Sequence, residues 1–81
     1  MLTLYMRPAC PYCVDVLHAA NALGLALKMK NIANPEHARE LVLRGGKQQV
    51  PYLVDTERSV EMYESKDIIA YLKEHYHKQE V

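Results

Sequence analysis

The chain carries two cysteines in 81 residues, and they stand three positions apart in Arg7-Pro8-Ala9-Cys10-Pro11-Tyr12-Cys13. A thiol pair at this spacing serves as a staple, half of a metal site or a redox couple. A disulfide stabilises mainly by removing loop entropy from the unfolded chain, and the loop between Cys10 and Cys13 is too short to remove much. A structural zinc site takes four ligands, of which this pair supplies two. The four histidines do not complete the set: His18 stands off the helical face of Cys13, while His75 and His77 are two apart and point to different sides. An intrachain metal is therefore not expected, although a cluster shared between two chains stays open. Redox chemistry suits the pair best.

The two thiols occupy different positions. Pro11 suits the first position of a helix. Cys13, Val16, Leu17, Ala20 and Leu23 fall on one face of that helix, and Gly24 supplies its stop. Cys10 is then the capping residue, beside unpaired backbone N–H groups and the positive end of the helix dipole, a setting that stabilises a thiolate. Arg7 adds a positive charge nearby. Cys13 lies one turn in, on the buried stripe. Cys10 is the candidate nucleophile and Cys13 the candidate resolving thiol.

Around this helix the chain alternates strands and helices. Leu2–Met6 reads as a strand ended by Arg7-Pro8, and residues 25–32 as a second strand. Asn34-Pro35-Glu36 is a helix start with a capping side chain, and Gly45-Gly46 ends that helix, with Ala38, Leu41 and Val42 on its inner face. Gln49–Val54 is a short strand, Asp55–Arg58 a turn and Ser59–Tyr63 a partner strand. Ser65 is read as the cap of a last helix with Ile68, Ile69, Leu72 and Tyr76 on its apolar stripe, while Tyr63 and Tyr71 read as packing. A βαβ crossover is right-handed, so the first two strands are parallel. The expected fold is a four-stranded mixed sheet flanked by three helices, in the order β-α-β-α-β-β-α.

Composition bounds the function. Lysine plus arginine equals aspartate plus glutamate at ten each, so no global field draws the chain to nucleic acid or to a membrane surface. No apolar run approaches a membrane span, and the start has neither the basic lead nor the apolar length of a signal peptide. A cytoplasmic location is expected, where a close cysteine pair serves catalysis or metal binding rather than architecture.

The strand before Cys10-Pro11-Tyr12-Cys13, the helix it opens and Val50-Pro51 at the third strand closely resemble the glutaredoxins of the thioredoxin fold. The resemblance covers essentially the whole chain in length, element order and motif spacing. Thioredoxins usually carry a tryptophan and Gly-Pro at the equivalent place, and this chain has no tryptophan. The stretches "KQQVPYL" and "MYESKDIIAYL" look like the N-terminal domain of glutathione transferases and the glutaredoxins allied to them. A transferase proper needs a large helical second domain, for which 81 residues leave no room, so a single glutaredoxin domain over residues 1–81 is expected.

The resemblance implies a glutathione-dependent thiol–disulfide oxidoreductase that reduces protein–glutathione mixed disulfides and protein disulfides. Glutathione is the co-substrate, its sulfur meeting Cys10. The backbone of Val50, before a Pro51 expected to be cis, pairs with the cysteinyl part like an added strand. Glu64 and Ser65 hold the γ-glutamyl end, Lys47 and Arg7 are the cations for the glycyl carboxylate, and Tyr12 forms one lip of the groove. The implied partners are glutathione and glutathionylated or disulfide-containing proteins, with no metal, nucleic acid or membrane, and a monomer is expected. Two rivals remain. Two chains and two glutathiones could hold an iron–sulfur cluster through Cys10, against which the rigid Pro11 turn argues. Alternatively, the protein is a reductase-fed electron donor that needs no glutathione site.

Overall fold

A computed structural model of the chain describes residues 1–76. Its elements run β1 (Leu2–Met6), α1 (Pro11–Ala22), β2 (Lys28–Asn31), α2 (Pro35–Gly45), β3 (Tyr52–Asp55), β4 (Val60–Tyr63) and α3 (Ser65–His75). The four strands form one sheet in the order β2-β1-β3-β4. β1 is parallel to β2 and antiparallel to β3, and β3 is antiparallel to β4. This is the mixed sheet with three helices that the sequence predicts.

Strand alternation sorts the core into two layers, because successive side chains leave a strand on opposite faces. Leu2, Leu4 and Met6 of β1 and Leu53 of β3 meet Cys13, Val16 and Ala20 of α1 and Ile68, Tyr71 and Leu72 of α3. On the other face, Tyr5, Tyr52 and Val54 meet Ile32 and Leu41 beneath α2. Three helix ends are chemically marked. Gly24 (φ +70°) closes α1, with the Leu25 N–H donating to the Ala20 carbonyl at 2.9 Å. Asn34 caps α2 by accepting from the Glu36 N–H at 2.9 Å, and Gly46 (φ +90°) ends it.

Several boundaries differ from the sequence reading. β2 is Lys28–Asn31 rather than residues 25–32, because Leu25 is consumed by the α1 cap while Leu25 and Leu27 pack on the core from the connecting loop. Val42 is exposed, since Leu41 alone of the expected apolar stripe of α2 is fully buried. α3 begins at Ser65 with Glu64, not Ser65, in the capping position, at φ +73° and with no side-chain capping bond. β3 starts only at Tyr52, after a proline that has no N–H to offer a ladder.

β3 also runs one residue further, to Asp55, which the sequence places in a turn. Asp55 is fully buried and faces the layer of α1 and α3. Its carboxylate accepts from the hydroxyls of Tyr71 (2.6 Å) and Tyr76 (2.5 Å) and from the backbone N–H groups of Glu57 (3.1 Å) and Arg58 (3.4 Å). A buried charge is tolerated when it is this fully hydrogen-bonded. Tyr71 is therefore a polar tie between β3 and α3 as well as a packing residue.

Candidate functional site

Cys10 stands at the start of α1 in extended conformation (φ −84°, ψ 116°), so its side chain is left at the helix mouth and makes no capping bond. Its N–H donates to the Arg7 carbonyl at 3.0 Å, which folds residues 7–10 into the turn that enters the helix. Cys10 is half-buried and Cys13 fully buried, and both thiols are free. Burial pushes the Cys13 thiol up to about 11. The Arg7 backbone opposes that rise, and the adjacent Cys10 side chain adds to it. Cys13 is thus held as a neutral thiol against Cys10.

Beside this helix mouth lies an open cavity of about 470 Å³ lined by Tyr12, Gln49, Val50, Pro51, Glu64, Ser65 and Lys66. Three segments far apart in sequence build it: the first turn of α1, the loop before β3, and the junction of β4 with α3. The Val50–Pro51 peptide bond is cis, as expected. Glu64 lies in the left-handed half of conformational space, where a residue with a Cβ is held at a cost and such residues concentrate at binding sites. Its carboxylate accepts from the Gln49 side chain at 3.2 Å. At the start of α3 the first N–H groups have no partner within the helix and lie at its positive end.

The cavity brings together Tyr12, Val50, Pro51, Glu64 and Ser65 of the residues singled out in the sequence. Cys10 and Cys13 belong to the same helix start as Tyr12. Arg7 and Lys47 are outside the lining. Arg7 sits in the turn before Cys10, and the Lys47 ammonium lies 5.0 Å over the Tyr63 ring. Gln49 and Lys66 line the cavity without having been singled out. The neighbours Val50 and Ser65 were the available signal for both.

Among the described residues, no group of three or more His, Cys, Asp or Glu side chains is placed to hold a metal ion. His77 lies outside the described residues. No helix among them is long and apolar enough to cross a membrane.

The parallel β1–β2 pair, the antiparallel β3–β4 hairpin and the three helices around the sheet define a thioredoxin-like fold. Residues 4–80 match the family model of the glutathione S-transferase N-terminal domain, and the chain belongs to that family. No match was found among curated proteins. Among solved structures, a delta-class glutathione transferase of Nilaparvata lugens is 29% identical with a TM-score of 0.82, the match covering 98% of this chain and 38% of that one. A glutathione transferase of Bombyx mori is 31% identical (TM-score 0.80; 96% and 37% covered). An epsilon-class glutathione S-transferase of the housefly Musca domestica is 26% identical (TM-score 0.81; 98% and 37%). The chain thus spans less than two-fifths of the length of these relatives.

Proposed function

We propose that the protein is a glutathione-dependent thiol–disulfide oxidoreductase of the glutaredoxin type, with Cys10 as nucleophile and Cys13 as resolving thiol. The observation that carries this reading is the asymmetry of the pair. One thiol is half-exposed at a helix mouth, and the other is fully buried against it and held protonated. The thiolate, not the thiol, is the attacking species, so the pair has one thiol suited to begin exchange and one suited to finish it.

In the monothiol cycle the Cys10 thiolate attacks the glutathione sulfur of a protein–glutathione disulfide. That disulfide breaks, a Cys10–glutathione disulfide forms, and the protein leaves as a thiolate that takes a proton from water. A second glutathione thiolate attacks the glutathione sulfur on Cys10, releasing glutathione disulfide and restoring the Cys10 thiolate. On a protein disulfide, Cys10 forms the mixed disulfide with one sulfur and releases the other. Cys13 then attacks the Cys10 sulfur, its proton passing to the departing thiolate, and two glutathiones later reduce the Cys10–Cys13 bond.

Glutathione fits the cavity by its chemistry. It carries an α-amino acid head, an extended peptide middle and a C-terminal carboxylate. Glu64 suits the ammonium of the head, and the free N–H groups of Ser65 and its neighbours suit the head's carboxylate. The Val50 backbone suits the extended middle. Arg7 and Lys47 are the cations assigned to the far carboxylate, Lys47 by leaving the Tyr63 ring.

The test is turnover of a small glutathionylated disulfide with glutathione, coupled to NADPH and glutathione reductase. Multiple turnovers are expected; none, with glutathione bound, would overturn the oxidoreductase reading. The family match and the transferase relatives favour a second reading, conjugation of glutathione to an electrophile. An aryl chloride in place of the disulfide tests it, and conjugation without disulfide turnover would decide for the transferase.

A further inference from the structure

We infer that Tyr63 is a positioning residue: its phenol hydroxyl holds the loop of residues 46–51 that forms the Val50–Pro51 wall of the cavity. The inference rests on that cavity being the glutathione site. The Tyr63 hydroxyl donates to the Lys47 carbonyl at 2.7 Å and accepts from the Lys47 N–H at 3.2 Å. One hydroxyl thereby grips both polar groups of a single residue in a segment that belongs to no strand or helix. Two positions on, Gln49 is tied to Glu64 at 3.2 Å. Among the described residues, the hydrogen bonds to residues 47–51 come from these two consecutive residues, Tyr63 and Glu64. Glu64 reaches the loop from the cavity side and Tyr63 from the sheet face covered by α2.

The surroundings of Tyr63 are built for this grip. Its ring is fixed against Tyr52, with centroids 4.4 Å apart, and Tyr52 is its direct partner across β3 and β4. Gly45, the last residue of α2, is the residue type that lets the phenol through. A Cβ there would lie 2.1 Å from the Tyr63 hydroxyl and 2.6 Å from the ring carbon bearing it. The left-handed Gly46 then turns the chain out of α2 so that Lys47 arrives at the hydroxyl. The Lys47 ammonium folds back over the same ring. Helix end, turn and strand thus converge on one oxygen that touches no part of the cavity itself.

The prediction is a binding defect without a chemical one. Tyr63→Phe keeps the ring on Tyr52 and deletes only the hydroxyl. The Kd for glutathione by calorimetry and the KM for a glutathionylated disulfide should both rise about tenfold, the scale of two neutral hydrogen bonds. The kcat and the alkylation rate of the thiols should stay within about twofold, and the Lys47 amide, which donates to that hydroxyl, should lose hydrogen-exchange protection. Tyr52→Phe is the control: it removes a neighbouring hydroxyl bonded to Glu61 and touches no loop residue, so binding should not change. If Tyr63→Phe binds glutathione as the parent does, or if Tyr52→Phe weakens binding equally, the inference is overturned. Should the parent bind glutathione without turning over the disulfide, the oxidoreductase reading fails while the calorimetric comparison still decides the role of Tyr63. A parent that binds no glutathione overturns both.

Discussion

At the scale of single residues, the two cysteines should separate cleanly on substitution. Cys10→Ser should abolish turnover on every disulfide, since the buried, protonated Cys13 cannot begin exchange. Its remaining thiol should react with iodoacetamide slowly at neutral pH and faster as pH rises, because burial holds the Cys13 thiol above the ordinary thiol range. Cys13→Ser should keep turnover of glutathione mixed disulfides and lose most turnover of protein disulfides. Mass spectrometry of that variant with glutathione disulfide should find a single adduct. Loss of glutathione-substrate turnover in Cys13→Ser, as complete as in Cys10→Ser, would move the reading to a reductase-fed dithiol carrier. These residues were legible because a proline after Cys10 sets the helix start, and helical spacing then buries Cys13. Lys47 was not legible in the same way. A lone cation in a loop takes its place from partners that local spacing does not reveal, here the Tyr63 ring.

At the scale of elements, Asp55 ties β3 to α3. Burial alone would raise its carboxyl pKa, yet the hydroxyls of Tyr71 and Tyr76 and the backbone N–H groups of residues 57 and 58 outweigh it and hold the group below its ordinary 3.8. A carboxyl depressed in the folded state contributes stability above its unfolded value and loses it as pH falls through the folded value. Stability should therefore drop below about pH 4 in the parent. Asp55→Asn should be less stable at pH 7 by about 2–4 kcal/mol, with a flatter acid limb, in urea titrations across pH. An equally steep limb in the variant would place the acid sensitivity elsewhere. The strands, helices and most caps were legible from alternation, 3.6-residue spacing and Gly/Asn/Pro signals. Asp55 and Glu64 were not. An aspartate before Thr56-Glu57-Arg58 has the local chemistry of a turn, and its burial depends on two tyrosines at least sixteen residues away. Glu64 takes a backbone conformation that side-chain type does not announce, so Ser65 looked like the cap.

At the scale of the whole molecule, β1 and β3 serve both layers of the core. Leu4 and Leu53 face α1 and α3, while Tyr5 and Tyr52 face α2, so neither layer can melt without exposing the other. One cooperative transition is expected. Far-ultraviolet dichroism, which follows the helices, and near-ultraviolet dichroism, which follows the tyrosines in both layers, should give coincident denaturation curves. Separated midpoints would show two independent units. Tyr5, Tyr52 and Tyr63 stand opposite one another across β1, β3 and β4. In–out alternation has a period of two, so it does not distinguish the native pairing from one slid by two residues. The row of phenols does distinguish them: a two-residue slide of β4 would carry Tyr63 away from both Tyr52 and Lys47. The ring that grips the loop beside the cavity therefore also acts as an alignment mark for the sheet, making the correct pairing of the hairpin and a formed cavity a single event in assembly.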